Sequence, residues 1–280
     1  MLSNCYESCD LTSAPNDRVA SALNKRVTVN KRRALLLAEL WAAGLVVVIL
    51  VVSLVLLRPL VALSFALVAA AVITVVAVLK ANDLALWMVG AQPAHPVEDA
   101  RLHNLVESLC FSSGLPKPGV YVVDDSAVNA FAAGRSPREA AIGVTSGLVD
   151  RFTRVELEAV LAHELSRVKS YDVLVSTLAV TMVGLITSFL PDGVSARLVH
   201  SAIGARQDSA ADITGVSLTR YPPGLISALE KLRDANTHVK VRSPAASHLW
   251  LRPFGPAAAE VPGGGRDGRM DERIEALREL

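Results

Sequence analysis

Two apolar runs separated by a dipeptide constrain this chain more than any other feature. Ala34 to Leu57 is interrupted by Glu39 near its start, and Leu60 to Leu79 repeats the pattern after Arg58-Pro59. A helix rises 1.5 Å per residue, so about 20 residues cover the roughly 30 Å hydrocarbon core of a bilayer. The spacing predicts a transmembrane helical hairpin over 34–80 with a very tight turn. Lys25, Arg26, Lys31, Arg32 and Arg33 precede the first run and Lys80 follows the second. By the positive-inside rule both ends lie in the cytoplasm. The expectation is an integral, multi-pass protein of the cytoplasmic membrane with its soluble domain facing the cytoplasm. Residues 1–33 are polar without hydrophobic periodicity, and are expected to form a loosely ordered N-terminal tail.

The rest of the chain reads as one further domain, 91–280. A net charge of +1 gives no reason to invoke nucleic acid, and Cys5, Cys9 and Cys110 make neither a disulfide framework nor a zinc knuckle. Val97 to Ser112 has the apolar spacing of a helix. Gly119 to Val123 is β-branched and aromatic and reads as a strand, with weaker strands at Ala127–Ala133 and Ala140–Val144. Thr153 and Glu156 form a capping box before a helix expected to run through Asp172. Val173 to Leu190 is a third apolar run, with Thr177, Thr181, Gly184 and Ser188 on one face. It is either a close-packing membrane helix or a buried helix of the soluble core. Helices follow at Ala205–Thr219 and Pro222–Asn236, then a short strand or turn at Ser247–Leu251. Gly263 to Gly268 reads as a flexible loop, and Glu272 to Leu280 as a charged amphipathic helix. The fold class is therefore α+β: a hairpin of membrane helices, then a mainly helical domain with a small sheet.

The chemistry concentrates in Ala162-His163-Glu164-Leu165-Ser166-Arg167. In a His-Glu-x-x-His helix the two histidines lie four residues apart, so both imidazoles project from one face and hold one zinc. Here the second position is Arg167. A guanidinium stays protonated and offers only donors, so it is no metal ligand.

Four stretches, in order, resemble the HtpX-type integral-membrane zinc metallopeptidases, relatives of the CAAX prenyl-protein peptidases. They are the hairpin followed by Arg101–Glu107 and Gly114–Pro118; Val128-Asn129-Ala130-Phe131-Ala132-Ala133-Gly134; Glu158–Ser166 with Asp172; and Gln207–Asp212 with Leu225–Leu232. The resemblance implies a zinc cofactor, polypeptide segments or membrane proteins as partners alongside the lipid bilayer, and a metallopeptidase-like fold. It makes His163 a metal ligand, Glu164 the catalytic base, Asp208 the third ligand and Asp212 an acid that orients the site. It makes Asn129, Ala130 and Phe131 a strand edge along which substrate lies. His248 matches a family position without an assigned role.

The departures from that pattern fall on the metal site. Asp208 stands for a glutamate and is shorter by about 1.5 Å, whereas zinc–oxygen contacts need about 2.0–2.2 Å. A guanidinium about 5 Å from Zn²⁺ repels it by several kcal/mol. The family's His-Pro segment before the last helix is replaced by Arg266–Met270. These departures predict that Arg167 substitutes for the metal, pairing with Asp208 and Glu164, with His163 nearby. Two readings result. One is a non-catalytic relative that binds peptides or partners, with zinc absent or weakly held. The other is an active zinc endopeptidase that cleaves membrane or misfolded proteins. The span between Leu190 and Asp208 is short, so a site containing both His163 and Asp208 requires that 173–190 not complete a crossing.

Overall fold

The computed structural model describes residues 14–56, 59–183, 207–235, 239–240, 244–253 and 265–280. The first apolar run belongs to α1 (Ala14–Leu56) and the second to α2 (Pro59–Val89). Both are long and apolar enough to cross a membrane. Their outer faces expose Leu36, Leu40, Val48, Val52, Phe65, Val68, Val72 and Val76, a surface that water would not tolerate but lipid would.

The expected tail is corrected from Ala14 onward, where the polar stretch is the first part of α1. No proline or glycine interrupts residues 16–43, and Leu23, Val27, Asn30 and Ala34 recur at helical spacing on the covered face. Residues 1–13 lie outside the described residues.

The sheet holds four strands in the order β1-β2-β4-β3: β1 (Gln92–Pro93), β2 (Gly119–Val123), β3 (Ala130–Gly134) and β4 (Ala140–Thr145). β2 and β4 are parallel, and β3 and β4 antiparallel. β1 was not anticipated. Its proline is tolerated because β1 is an edge strand, paired only with Val122 and Tyr121 of β2. The strand expected over Ala127–Ala133 starts later. Ahead of it the Ala127 N–H is taken by the Asp125 side chain, and the Asn129 N–H by the Thr145 hydroxyl.

α3 (Ala100–Ser113), α4 (Ser146–Arg151), α5 (Arg154–Lys169) and α6 (Asp172–Leu178) follow the chain. The capping box at Thr153 and Glu156 is present. α5 does not continue through Asp172. Tyr171 sits in the left-handed region at φ 61°, which turns the chain and starts α6 afresh. A π-helical turn, Ala179–Val183, follows α6. α7 (Gln207–Thr219) and α8 (Pro222–Asp234) lead to the last helix, α9 (Gly265–Arg278). The expected glycine loop is thus helical from Gly265 on, and its first residues lie outside the described residues.

α5 is the hub of the domain. Its Leu157, Val160, Leu161 and Leu165 pack with Leu102 and Val106 of α3, Leu225, Leu229 and Leu232 of α8, and Ile274 and Leu277 of α9. Each large aliphatic side chain buried there stabilises the fold by about 1.5–3 kcal/mol. A second cluster joins Ala85, Leu86 and Val89 of α2 to Phe131, Leu249 and Trp250. A third places Leu178 and Met182 against Ala34 of α1 and Ala81 of α2. The described part of the third apolar run therefore packs on the hairpin, and 184–190 lie outside the described residues.

Candidate functional site

α5 and α7 cross so closely that a Cβ on Gly215 would lie 2.9 Å from the backbone nitrogen of His163. Ala211, four residues earlier, is equally small, and its carbonyl accepts the Ser166 hydroxyl at 2.8 Å. This contact brings Asp212 onto His163, with Nδ1 to Oδ1 at 2.7 Å. Asp212 also accepts Nε and Nη2 of Arg273 at 2.6 and 2.7 Å. Burial opposes ionisation of Asp212, but the Arg273 charge and His163 hold its carboxyl far below the usual carboxylate range. An ionised carboxylate only accepts, so Nδ1 carries a proton toward Asp212 and Nε2 is the ring nitrogen turned away from it. That Nε2 is buried and has no partner among the described residues.

One turn along α5, Arg167 Nη1 donates to Glu164 Oε2 at 2.9 Å and to the Leu249 carbonyl at 3.2 Å. Glu164 and Arg167 are 0% and 6% exposed. The second oxygen, Oε1, is buried with no partner among the described residues. A catalytic zinc needs three protein ligands. Among the described residues no three His, Cys, Asp or Glu side chains lie together as a metal-binding group. His163 Nε2 suits one ligand, but its helix neighbour at the next site-facing position is a guanidinium. The described donors therefore do not fit zinc. Asp208 lies in the first turn of α7, and its side chain is outside what the structure describes. His248 is half-buried in the 3₁₀ segment Pro244–Leu249.

Asn129, Ala130 and Phe131 are buried, and the edge they form is not open. Leu251 N–H donates to the Ala130 carbonyl at 2.7 Å, and Phe131 forms an antiparallel bridge with Trp250. The end of the edge expected to carry substrate, at Ala130 and Phe131, is thus paired with the chain's own Leu251 and Trp250 through an isolated antiparallel bridge.

α1 reaches the same region from the other side. Asn30 Nδ2 donates to the Ser170 carbonyl and to Asp172, and Ser170 Oγ, with one hydrogen to give, lies within hydrogen-bond distance of both Asp172 and the Arg167 carbonyl. Burial raises the Asp172 carboxyl above its ordinary value against the opposing pull of Ser170, Arg167 and Asn30.

Sequence reasoning missed Arg273, Asn30 and the 249–252 segment. Arg273 had a signal, since it interrupts the apolar stripe Met270, Ile274, Leu277 on the last helix. An arginine inside a buried stripe needs an acid opposite. Asn30 offered only a polar residue on the covered face of a helix that had not been recognised. The 249–252 segment was marked in part, as a short strand or turn over Ser247–Leu251, but its partner strand is more than a hundred residues away and gave no signal.

The sequence profile of peptidase family M48 matches residues 96–233. A protease HtpX homologue of Thermoanaerobacter pseudethanolicus is 34% identical, over 72% of this chain and 79% of the relative. One from Tropheryma whipplei is 36% identical, over 70% and 78%. One from Streptococcus pneumoniae is 29% identical, over 72% and 81%.

Proposed function

We propose, from the premise that this chain belongs to peptidase family M48 and to its HtpX homologues, that it is a non-catalytic member which binds polypeptide segments at a membrane surface. The observation that carries this reading is the 2.9 Å pair between Arg167 and Glu164. In the family frame Glu164 is the base that takes a proton from zinc-bound water, and position 167 supplies a ligand. Here the ligand position holds that carboxylate in an ion pair, so the group that would activate water is engaged by a cation. His163 keeps the orientation a ligand needs through Asp212 and Arg273. A single well-aimed imidazole is not a zinc site. Asp208, as the third ligand, is drawn back relative to the family's glutamate.

In this reading 34–80 anchors the protein as a hairpin with both ends in the cytoplasm, and 91–280 is the peptidase-like domain beside the inner leaflet. The third apolar run lies within the bundle without completing a crossing, which keeps His163 and Asp208 on one side.

The test is zinc content per chain, measured on protein purified in detergent without chelators, together with cleavage of an unfolded protein substrate. The expected result is zinc well below one per chain and no cleavage. Arg167→His combined with Asp208→Glu is expected to bring zinc to near one per chain, where neither change alone does. Stoichiometric zinc in the unmodified protein would overturn the reading and restore a working endopeptidase.

A further inference from the structure

The peptide edge of this domain is filled by the chain's own residues 249–252, and the contacts that fill it are specific. Leu251 N–H pairs with the Ala130 carbonyl, and Trp250 bridges Phe131. Beyond that pair, the Asn129 carboxamide stands in for a peptide unit. Its Nδ2 donates to the Arg252 carbonyl at 2.8 Å, and its Oδ1 accepts the Arg252 N–H at 3.1 Å. The segment is further fixed by its side chains. Phe131 lies over Gly143 on the neighbouring strand, where a Cβ would lie 2.1 Å from the ring. Its other side meets Trp250 edge-on, with ring centroids 4.9 Å apart. Arg252 Nη1 donates to the Leu232 carbonyl at the end of α8. Leu249, Trp250 and Leu251 are all buried.

The remaining anchor comes from the site. Arg167 Nη1 carries two hydrogens, and the geometry gives one to Glu164 and the other to the Leu249 carbonyl. The residue that occupies the metal-ligand position is thus also the residue that holds the start of the strap. A histidine at that position, with one ring nitrogen on a metal, keeps a single N–H and could not serve both Glu164 and the Leu249 carbonyl as the guanidinium does. The exchange at 167 and the closed edge are therefore one feature.

We infer that residues 249–252 are an intramolecular occupant of the peptide-binding edge, latched by Arg167, and that an extended polypeptide gains the edge only by displacing them. The partner this surface fits is a strand with free backbone N–H and C=O groups at alternate residues, since main-chain pairing is what the strap supplies now. The inference deepens the proposed function and rests on it in one respect, that a polypeptide is the ligand.

The experiment uses the full chain in lipid nanodiscs. Hydrogen–deuterium exchange reads the amides of 250–252, and fluorescence polarisation reads binding of a fluorescein-labelled peptide of alternating valine and threonine. Two variants are compared with the unmodified chain. Arg167→Met removes the latch, and Leu251→Pro removes the N–H given to Ala130 while leaving the edge itself intact. Both are expected to raise exchange at the strap and to tighten peptide binding about tenfold, the equivalent of one charge-assisted hydrogen bond no longer opposing entry. Unchanged strap exchange in Arg167→Met overturns the latch. Raised exchange with peptide affinity equal to that of the unmodified chain overturns the claim that the strap and the peptide share an edge. Raised exchange with no peptide bound by any of the three proteins overturns the peptide-binding reading itself, and leaves Arg167 supported as the latch of the strap.

Discussion

Replacing Arg167 by alanine strands a carboxylate. Glu164 is fully buried, and the described structure gives it one donor, Arg167, at 2.9 Å. Removing one partner of a buried ion pair costs about 3–5 kcal/mol, because the remaining charge is left without water or counter-ion. The Leu249 carbonyl loses a donor at the same time, a smaller term of about 1 kcal/mol. We expect Arg167→Ala to destabilise the domain by about 4 kcal/mol. In a chain of this size that lowers the melting temperature by about 10 °C. The decisive comparison is with Arg167→Ala combined with Glu164→Gln, in which no charge is stranded. That double variant is expected to lose only about 1–2 kcal/mol, less than Arg167→Ala alone. Thermal melts of the detergent-solubilised protein, followed by tryptophan fluorescence, give both values. A near-neutral Arg167→Ala refutes the ion-pair account. So does a double variant at least as unstable as the single one, since the arginine would then contribute packing and no counter-charge.

Asn30→Ala is expected to destabilise the protein by about 1–3 kcal/mol, because it removes buried bonds to Ser170 and Asp172. A melt unchanged by this substitution would mean that the start of α1 is the loose tail the sequence suggested. Glu156 gives the pH dependence. Burial alone would raise its carboxyl, but Lys231, Ser227 and Thr153 hold it at about 2, against an ordinary 4.5. A depressed folded-state value means stability present above about pH 4.5 and lost as the pH falls toward 2. With the half-exposed lysine discounted for solvent, this amounts to about 2 kcal/mol. Chemical denaturation of the unmodified chain and Glu156→Gln should differ by that amount at pH 6 and converge as the pH falls toward 2; a gap that does not narrow with acid counts against the network.

What the sequence made legible was whatever depends on near neighbours. Apolar runs gave both hairpin helices, because runs of that length and composition form helices long and apolar enough to cross a membrane. Capping chemistry gave the start of α5, and β-branching gave β2. The break after Lys169 was not legible, because nothing in Ser170-Tyr171-Asp172 forbids a helix. The turn follows from Asp172 being held by Asn30, 142 residues away in sequence. The tail was misread because charge masked a stripe of only four covered positions. At the site, the identity of each residue was legible and most of its partners were not. Glu164 with Arg167 is a contact within one turn of helix, which spacing alone suggests. Asp212 with Arg273, and Asn129 with Arg252, depend on how helices and strands pack across the domain.

That division explains why a resemblance at the level of motifs says little about activity here. His163, Asp212 and Arg273 form a chain of charge and hydrogen bonds in which the His163 Nε2 is buried without a partner among the described residues. Arg273 neutralises Asp212, Asp212 fixes the imidazole, and the helix crossing at Gly215 sets their distance. Each member buries a polar group that would cost several kcal/mol if its neighbour were removed. The three therefore hold one another in place, with Nε2 as the open end. Glu164 differs, because a lone buried carboxylate is not self-sufficient. It needs a cation within hydrogen-bond reach, and on this helix the nearest position that can supply one is three or four residues on. An arginine there meets that need and also reaches the Leu249 carbonyl, which draws 249–252 onto the sheet edge. Pairing Glu164 and holding the Leu249 carbonyl thus follow from one side chain, whereas a histidine bound to an ion would have a single N–H for the two acceptors.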